Sequence, residues 1–301
     1  MSSGILIINK PRGLTSHDVV NRVRRVTKLK QVGHAGTLDP MATGVLVVCI
    51  GQATRISEYV MGHDKIYRAR IRLGIETDTY DADGEVTAIH EVNVSETELR
   101  AALKNFVGQI DQIPPMHSAI KQGGQKLYDL ARQGIEVDRP ARAITVSSID
   151  LLNFESPDVL IEVKCSAGTY IRSIAHDLGE RLNCGGHLIE LQRTASGPYS
   201  IEQAIELEKF LTEPDWLPHL HSIDEALNDW PSTTLSETDC VRAINGASIE
   251  SLKLKAVRCR AHDKRGNLIA LLIFDQKKSF WRADKVFTQE IATPSQIGEG
   301  L

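Results

Sequence analysis

Gly33-His34-Ala35-Gly36-Thr37-Leu38-Asp39-Pro40-Met41-Ala42-Thr43-Gly44 places one carboxylate, Asp39, in a loop between a basic segment and an apolar run, Val45-Leu46-Val47-Val48-Cys49-Ile50. Glycine permits φ > 0 and close backbone approach, while Pro40 fixes its own φ. A loop of this composition can be rigid and still press its backbone against a ligand. It holds no second acidic residue, so by itself it is neither a paired-carboxylate acid/base site nor a metal cage. Local chemistry leaves two readings open. Asp39 acts alone as a nucleophile or base, or Asp39-Pro40 is an ordinary turn before a strand.

Outward from the loop, strand and helix patterns interleave. Residues 4–8 read as a strand, and Ser16 as the N-cap of a helix through Lys28 with Val19, Val20, Val23 and Val26 on one side. Residues 66–73 alternate in part and read as a strand carrying three arginines. Residues 77–84 are a turn-rich acidic loop without the EF-hand spacing or its terminal Glu. Ser95-Glu96-Thr97-Glu98 is a capping box that opens a helix to about residue 107. Residues 125–133 read as a helix closed by Gly134, 158–164 as a strand, and 170–182 as a helix with Arg172 in its first turn. Regular βαβ spacing is missing, which predicts an α+β fold around a mostly antiparallel mixed sheet. After Gly197-Pro198 the chain turns acidic and helix-like over 201–229. Trp230-Pro231 then marks a boundary, giving a first domain over 1–229 and a small β domain over 230–301.

The composition is that of a soluble globular protein with room for two domains: of 301 residues, 25% are charged and 42% hydrophobic. The longest apolar run is strand-length rather than bilayer-length. The N-terminus lacks the regions of a signal peptide. Cys49, Cys165, Cys184, Cys240 and Cys259 are scattered and form no CxxC, which predicts reduced thiols and a cytoplasmic protein without structural zinc. The net charge of −4 hides a strong division. Residues 1–30 carry seven Lys and Arg against one Asp, residues 201–240 one Lys against ten carboxylates, and residues 241–301 eleven Lys and Arg against six. Local charge governs phosphate binding more than the global sum does. Arg22, Arg24, Arg25, Lys28 and Lys30 are therefore candidate phosphate contacts.

Read with its neighbours, the Gly33 to Gly44 stretch closely resembles the aspartate motif of the TruB family of pseudouridine synthases. Five further segments agree in order: Asn9-Lys10-Pro11 with Gly13-Leu14-Thr15-Ser16, Lys65-Ile66-Tyr67-Arg68, residues 114–121, Gly168-Thr169-Tyr170-Ile171-Arg172, and residues 188–193. Within the family the chain looks most like the bacterial enzyme acting on the T loop of transfer RNA. The resemblance implies that Asp39 is the essential aspartate, Arg172 its guanidinium partner and Tyr67 the tyrosine stacked on the base. It implies that Tyr170 and Leu191 line the uracil pocket and that His34 fills the space left by the flipped nucleotide. Lys10 either contacts phosphate or supports the loop. The implied reaction breaks the N1–C1′ bond of uridine and rejoins the base through C5, with no atoms gained or lost. It calls for no cofactor and no metal. An exposed Asp has a pKa of about 3.9. Burial raises it, and a facing Arg counters by ~1–3 units. Whether Asp39 attacks C1′ or C6, or removes a C2′ proton, stays open. The partner implied is the T stem-loop of transfer RNA. A monomer needing no protein partner or membrane is expected, with a PUA-like RNA-binding tail.

Two other functions fit the same motifs. One is a chaperone that opens and refolds transfer RNA on this fold. The other is the related guide-RNA-dependent pseudouridine synthase subunit. An aspartyl-phosphate enzyme fits less well, because the loop lacks a second acid to hold magnesium.

Overall fold

Gly4–Lys10 and Thr43–Ile50 are apolar at nearly every position because both of their faces are covered. They pair antiparallel from Gly4 opposite Ile50 to Lys10 opposite Gly44. Lys65–Leu73 alternates instead. Tyr67, Ala69, Ile71 and Leu73 point into the core, while Arg68, Arg70 and Arg72 face neighbouring strands, paired with Glu162, Glu190 and Asp158 at 3.0, 3.2 and 2.8 Å. The computed structural model describes residues 2–118, 120–131, 133–135, 137–250 and 252–287. Among these, the main sheet has ten strands. Its order runs Ile205–Glu206, Gly4–Lys10, Thr43–Ile50, Gly186–Ser196, Lys65–Leu73, Asp158–Cys165, Arg142–Glu155, Gly108–Gln112. Val32–His34 pairs with Thr43–Ile50, and Tyr199–Ser200 with Gly186–Ser196. Two pairings are parallel and the rest antiparallel, which is the mixed, mostly antiparallel sheet expected.

One parallel pairing is a seam between the two halves of this sheet. Thr43–Ile50 meets Gly186–Ser196 only at Thr43 opposite Gln192 and Gly44 opposite Arg193. Gly44 has φ +97°, and a Cβ there would lie 2.2 Å from the Arg193 carbonyl oxygen. Only glycine fits both constraints.

Helices pack on the sheet, with Leu207 and Phe210 of Leu207–Thr212 in the same core. In Ser16–Thr27, Val19, Val20 and Val23 are buried. Its N-cap is Thr15 rather than the expected Ser16. Thr15 and Asp18 form a reciprocal capping box, and the Ser16 hydroxyl is engaged elsewhere. Glu96–Lys104 starts at the Ser95/Glu98 capping box read from sequence. Ile171–Arg181 buries Ile171, Ile174, Ala175 and Leu178.

Two expected helices are not formed as such. Within 125–133 the helix is Leu127–Ala131. Gln125–Lys126 pairs with Lys121–Gln122 across Gly123-Gly124, whose φ values of +58° and +88° suit a tight hairpin. Within 201–229 only Leu207–Thr212 is α-helical, with three 3₁₀ turns around it; Pro214 and Pro218 interrupt the rest. Ala119, Arg132 and residues 288–301, on which parts of the sequence reading fell, lie outside the described residues.

A second sheet runs Ser232–Thr234, Arg258–His262, Leu268–Asp275, Phe280–Val286. It carries its own core of Leu235, Ala243, Ile249, Cys259, Leu272 and Trp281. Leu271 and Phe287 join the cluster of Ile5, Ile7, Val45 and Val47 on the back of the main sheet. Asp224 ties the two together through Arg260 at 3.1 Å and His262 at 2.8 Å.

The seam makes a stability prediction. Gly44→Ala forces a strained φ and a backbone clash, and its expected cost is about 2 kcal/mol or more in urea unfolding. A loss below about 0.5 kcal/mol would show that the seam yields freely.

Candidate active site

The Asp39 loop connects Val32–His34 to Thr43–Ile50 and is held from three sides. The buried Ser16 hydroxyl donates to the Leu38 carbonyl at 3.0 Å and accepts the Leu38 N–H at 2.8 Å. Lys10, 0% exposed, donates from Nζ to the carbonyls of Leu14, Pro11 and Pro40 at 2.7, 3.0 and 3.4 Å. Burial pulls its ammonium down to about 8, with the Asp39 charge opposing. Its ammonium is bonded to three backbone carbonyls of the surrounding segments, a geometry consistent with loop support. Arg193, 1% exposed, donates from Nε to Val45 O at 2.8 Å, and from its two Nη atoms to Gly36 O at 3.0 Å and Thr37 O at 3.3 Å. Sequence reading gave Arg193 no role of its own. The loop backbone is therefore fixed, while the Asp39 side chain stays 39% exposed.

Arg172 meets Asp39 as expected, though not bidentately. Its guanidinium forks between two carboxylates, Nη2 to Asp39 Oδ2 at 3.1 Å and Nη1 to Asp81 Oδ2 at 3.2 Å. It also donates to His117 O at 2.7 Å and Thr79 O at 3.2 Å. It is buried in the first turn of Ile171–Arg181. Asp81 went unnoticed in the sequence. It sits in the turn-rich loop among Asp78 and Asp83, and nothing in the spacing marks which of the three turns inward. The structure does. The Thr79 hydroxyl donates to Asp81 Oδ1 at 2.6 Å, and the strand Gly186–Ser196 receives the loop through Ala82 N–H to Leu188 O at 2.9 Å. The site thus has a second carboxylate, although the loop of Asp39 has only one. Desolvation raises the Asp39 carboxyl above its ordinary value; Arg172 opposes this and Asp81 adds to it.

Tyr67 lies on Lys65–Leu73 directly opposite Arg193, and burial pushes its phenol up. Leu191, also buried, precedes Arg193 by two residues on the same face of the strand. Tyr170 caps the Arg172 helix. Gln112 clamps its backbone, accepting the Tyr170 N–H at 2.8 Å and donating to its carbonyl at 3.0 Å. Arg193 holds the Asp39 loop and lies opposite Tyr67, and Tyr170 precedes Arg172 by two residues, so the fold brings Asp39, Arg172, Tyr67 and Tyr170 to one region. His34 stands half-buried opposite Val48 on the strand before the loop; burial pulls its imidazole down, which keeps it neutral at pH 7.

The basic cluster is only partly free. Arg24 donates to Val32 O at 2.7 Å and Arg22 pairs with Glu208 at 3.3 Å, while Arg25, Lys28 and Lys30 are exposed. For metal binding, among the described residues His176, Asp177 and Glu180 bring ligand-type atoms within 4.8 Å of one another on one helix. Asp39 is not among them. No described helix is long and apolar enough to cross a membrane.

The fork predicts two opposite titrations. By ¹³C NMR of labelled aspartate, the Asp39 carboxyl should titrate lower in Asp81→Asn than in the unsubstituted protein, because a like charge is removed. In Arg172→Gln it should titrate higher, because the opposing cation is gone. Shifts in the same direction would contradict this electrostatic account.

Sequence and structure comparisons agree with the geometry. Residues 24–171 match the model of the TruB family pseudouridylate synthase N-terminal domain, and residues 172–228 that of the tRNA pseudouridylate synthase B C-terminal domain. The chain is similar to a curated Clostridium kluyveri protein named tRNA pseudouridine synthase B, 45% identical over 257 residues, 85% of this chain and 89% of that one. A Pseudomonas aeruginosa protein of the same name is 42% identical over 276 residues, 89% of this chain and 91% of that one. Among solved structures, a chain of a Cbf5-Nop10-Gar1 complex superposes with TM-score 0.74 at 27% identity, covering 95% of this chain and 84% of that one. A chain of an H/ACA RNP bound to a substrate RNA containing 2'-deoxyuridine gives 0.72 at 25% identity, covering 95% and 85%. The aspartate loop, the arginine that faces it and the fold beneath them have one common explanation: the chain belongs to the TruB family of pseudouridylate synthases.

Proposed function

We propose that the chain isomerises a uridine in the T loop of transfer RNA to pseudouridine, with Asp39 as the essential carboxylate. The observation that carries this reading is the Asp39–Arg172 contact of 3.1 Å, with Tyr67 paired to Arg193 on the neighbouring strand and Tyr170 two residues before Arg172. The target uridine must leave its stack, at a cost of a few kcal/mol. Tyr67 offers a ring for the flipped base and a hydroxyl near C5, Tyr170 and Leu191 enclose it, and the neutral His34 imidazole suits the vacated space in the loop. Arg172 favours the ionised form of Asp39, which either attacks the ribose or base or removes a C2′ proton. The N1–C1′ bond breaks, C5 bonds to C1′, and C5 loses its proton as N1 gains one.

The identity of 42–45% to curated relatives named tRNA pseudouridine synthase B exceeds the 25–27% to chains of the Cbf5 and H/ACA assemblies. That difference favours an enzyme acting alone on bare transfer RNA. Arg12, Arg25, Lys28 and Lys30 supply exposed cations for phosphate contacts. The domain from 230 onward serves as a further RNA-binding surface.

The experiment is to incubate purified chain with unmodified transfer RNA and locate pseudouridine by mass spectrometry. Modification of one T-loop uridine is expected. Asp39→Ala should abolish turnover while RNA affinity stays within roughly tenfold, about 1.4 kcal/mol. Full turnover by Asp39→Ala, or modification elsewhere, would overturn the reading.

A further inference from the structure

We infer that Arg193 is a positioning residue for this reaction: its one buried guanidinium places the loop that carries Asp39 and the phenol of Tyr67 together. The inference rests on the reading above, in which Tyr67 works at the base.

A guanidinium has five N–H donors and no acceptor. Three of those donors hold the carbonyls of Val45, Gly36 and Thr37, two of which lie just before Asp39. All three partners are neutral, so the positive charge is not cancelled by the groups that hold it. Two Nη–H groups remain. Arg193 and Tyr67 are register partners on adjacent strands, and both are buried. Side chains of directly opposed residues project from the same face of a sheet. Because the guanidinium only donates, a hydrogen bond between the two side chains has the Tyr67 oxygen as acceptor and leaves the phenol hydrogen directed elsewhere. The Arg193 charge also opposes the rise that burial imposes on the Tyr67 phenol. One side chain therefore holds the backbone of the Asp39 loop and stands across the strands from the Tyr67 phenol. Lysine cannot reproduce this, since its ammonium is a point donor without the planar fork.

The test uses the full chain and transfer RNA transcripts carrying hydrogen or deuterium at C5 of the target uridine. Product formation by the unsubstituted protein comes first, and its failure would sink the parent reading rather than this inference. For Arg193→Lys we expect kcat to fall at least tenfold with RNA affinity within threefold, and the isotope effect at C5 to rise at least twofold. Loss of the phenol's alignment slows C5 proton removal more than the earlier steps. An unchanged kcat overturns the inference. So does a lower kcat with an unchanged isotope effect, which marks a merely structural role. If Arg193→Lys does not melt cooperatively, NMR of ¹⁵N-arginine-labelled protein takes its place. Slowly exchanging guanidinium signals that shift in Tyr67→Phe support the link, and signals indifferent to Tyr67→Phe overturn it.

Discussion

The site depends on a two-residue parallel seam. At Gly44 opposite Arg193 the two halves of the ten-stranded sheet meet, and the Arg193 guanidinium turns back across that junction to hold the backbone before and after Asp39. Hydrogen bonds from a buried charged donor are stronger than neutral ones. Losing such a donor would also leave the buried Val45 carbonyl and the Gly36 and Thr37 carbonyls to find new partners. The loop is thus part of the sheet's architecture, with its shape determined by the strands beneath it. Lys10 and Ser16 secure the same loop from the first strand and the first helix. Three elements distant in sequence therefore agree on where Asp39 stands.

Arg172 then opposes the desolvation that raises the Asp39 carboxyl. It is shared with Asp81, and a buried ion pair of this type is costly to break from one side, about 3–5 kcal/mol. Asp81 and the carbonyls of Thr79 and His117 keep the guanidinium in place independently of Asp39. Arg172 therefore has supports that do not depend on Asp39. The Asp81 loop is anchored in turn to the strand of Leu191 and Arg193, and Tyr80 stacks on His176 at 3.9 Å, tying it to the helix of Arg172. The electrostatic partners and the pocket wall share one set of supports.

Much of this was legible in the chain. The Ser95/Glu98 capping box, the apolar run 45–50 and the alternation along 65–73 each report a local rule that the fold obeys. The motif residues pointed to one site, and Asp39, Arg172, Tyr67 and Tyr170 do come together. What could not be read depends on tertiary context. Ser16 looked like a cap because serine is a good one, but Leu38 claims its hydroxyl and Thr15 caps instead. Gly123-Gly124 turns a hairpin whose second strand, Gln125–Lys126, takes the start of the segment read as a helix. Asp81 and Arg193 were hidden for the same reason: their roles lie in long-range contacts, and a lone Asp in an acidic loop or Arg in a strand carries no local sign of burial. Lys10 was readable as either a phosphate ligand or a prop, and nothing local in the sequence shows that its side chain is buried.

The central claim is that the carboxylate is set in place by the fold before RNA arrives. The most direct measurement is a crystal structure of the chain with a T stem-loop RNA carrying 5-fluorouridine at the target, since fluorine at C5 cannot leave as the proton does. The account predicts that the 33–44 loop and the Asp39, Arg172, Asp81 and Arg193 contacts superpose on those of the free protein within about 1 Å, with the flipped base against Tyr67. A loop that refolds around the RNA, with Arg193 released from the Gly36 and Thr37 carbonyls, would contradict it.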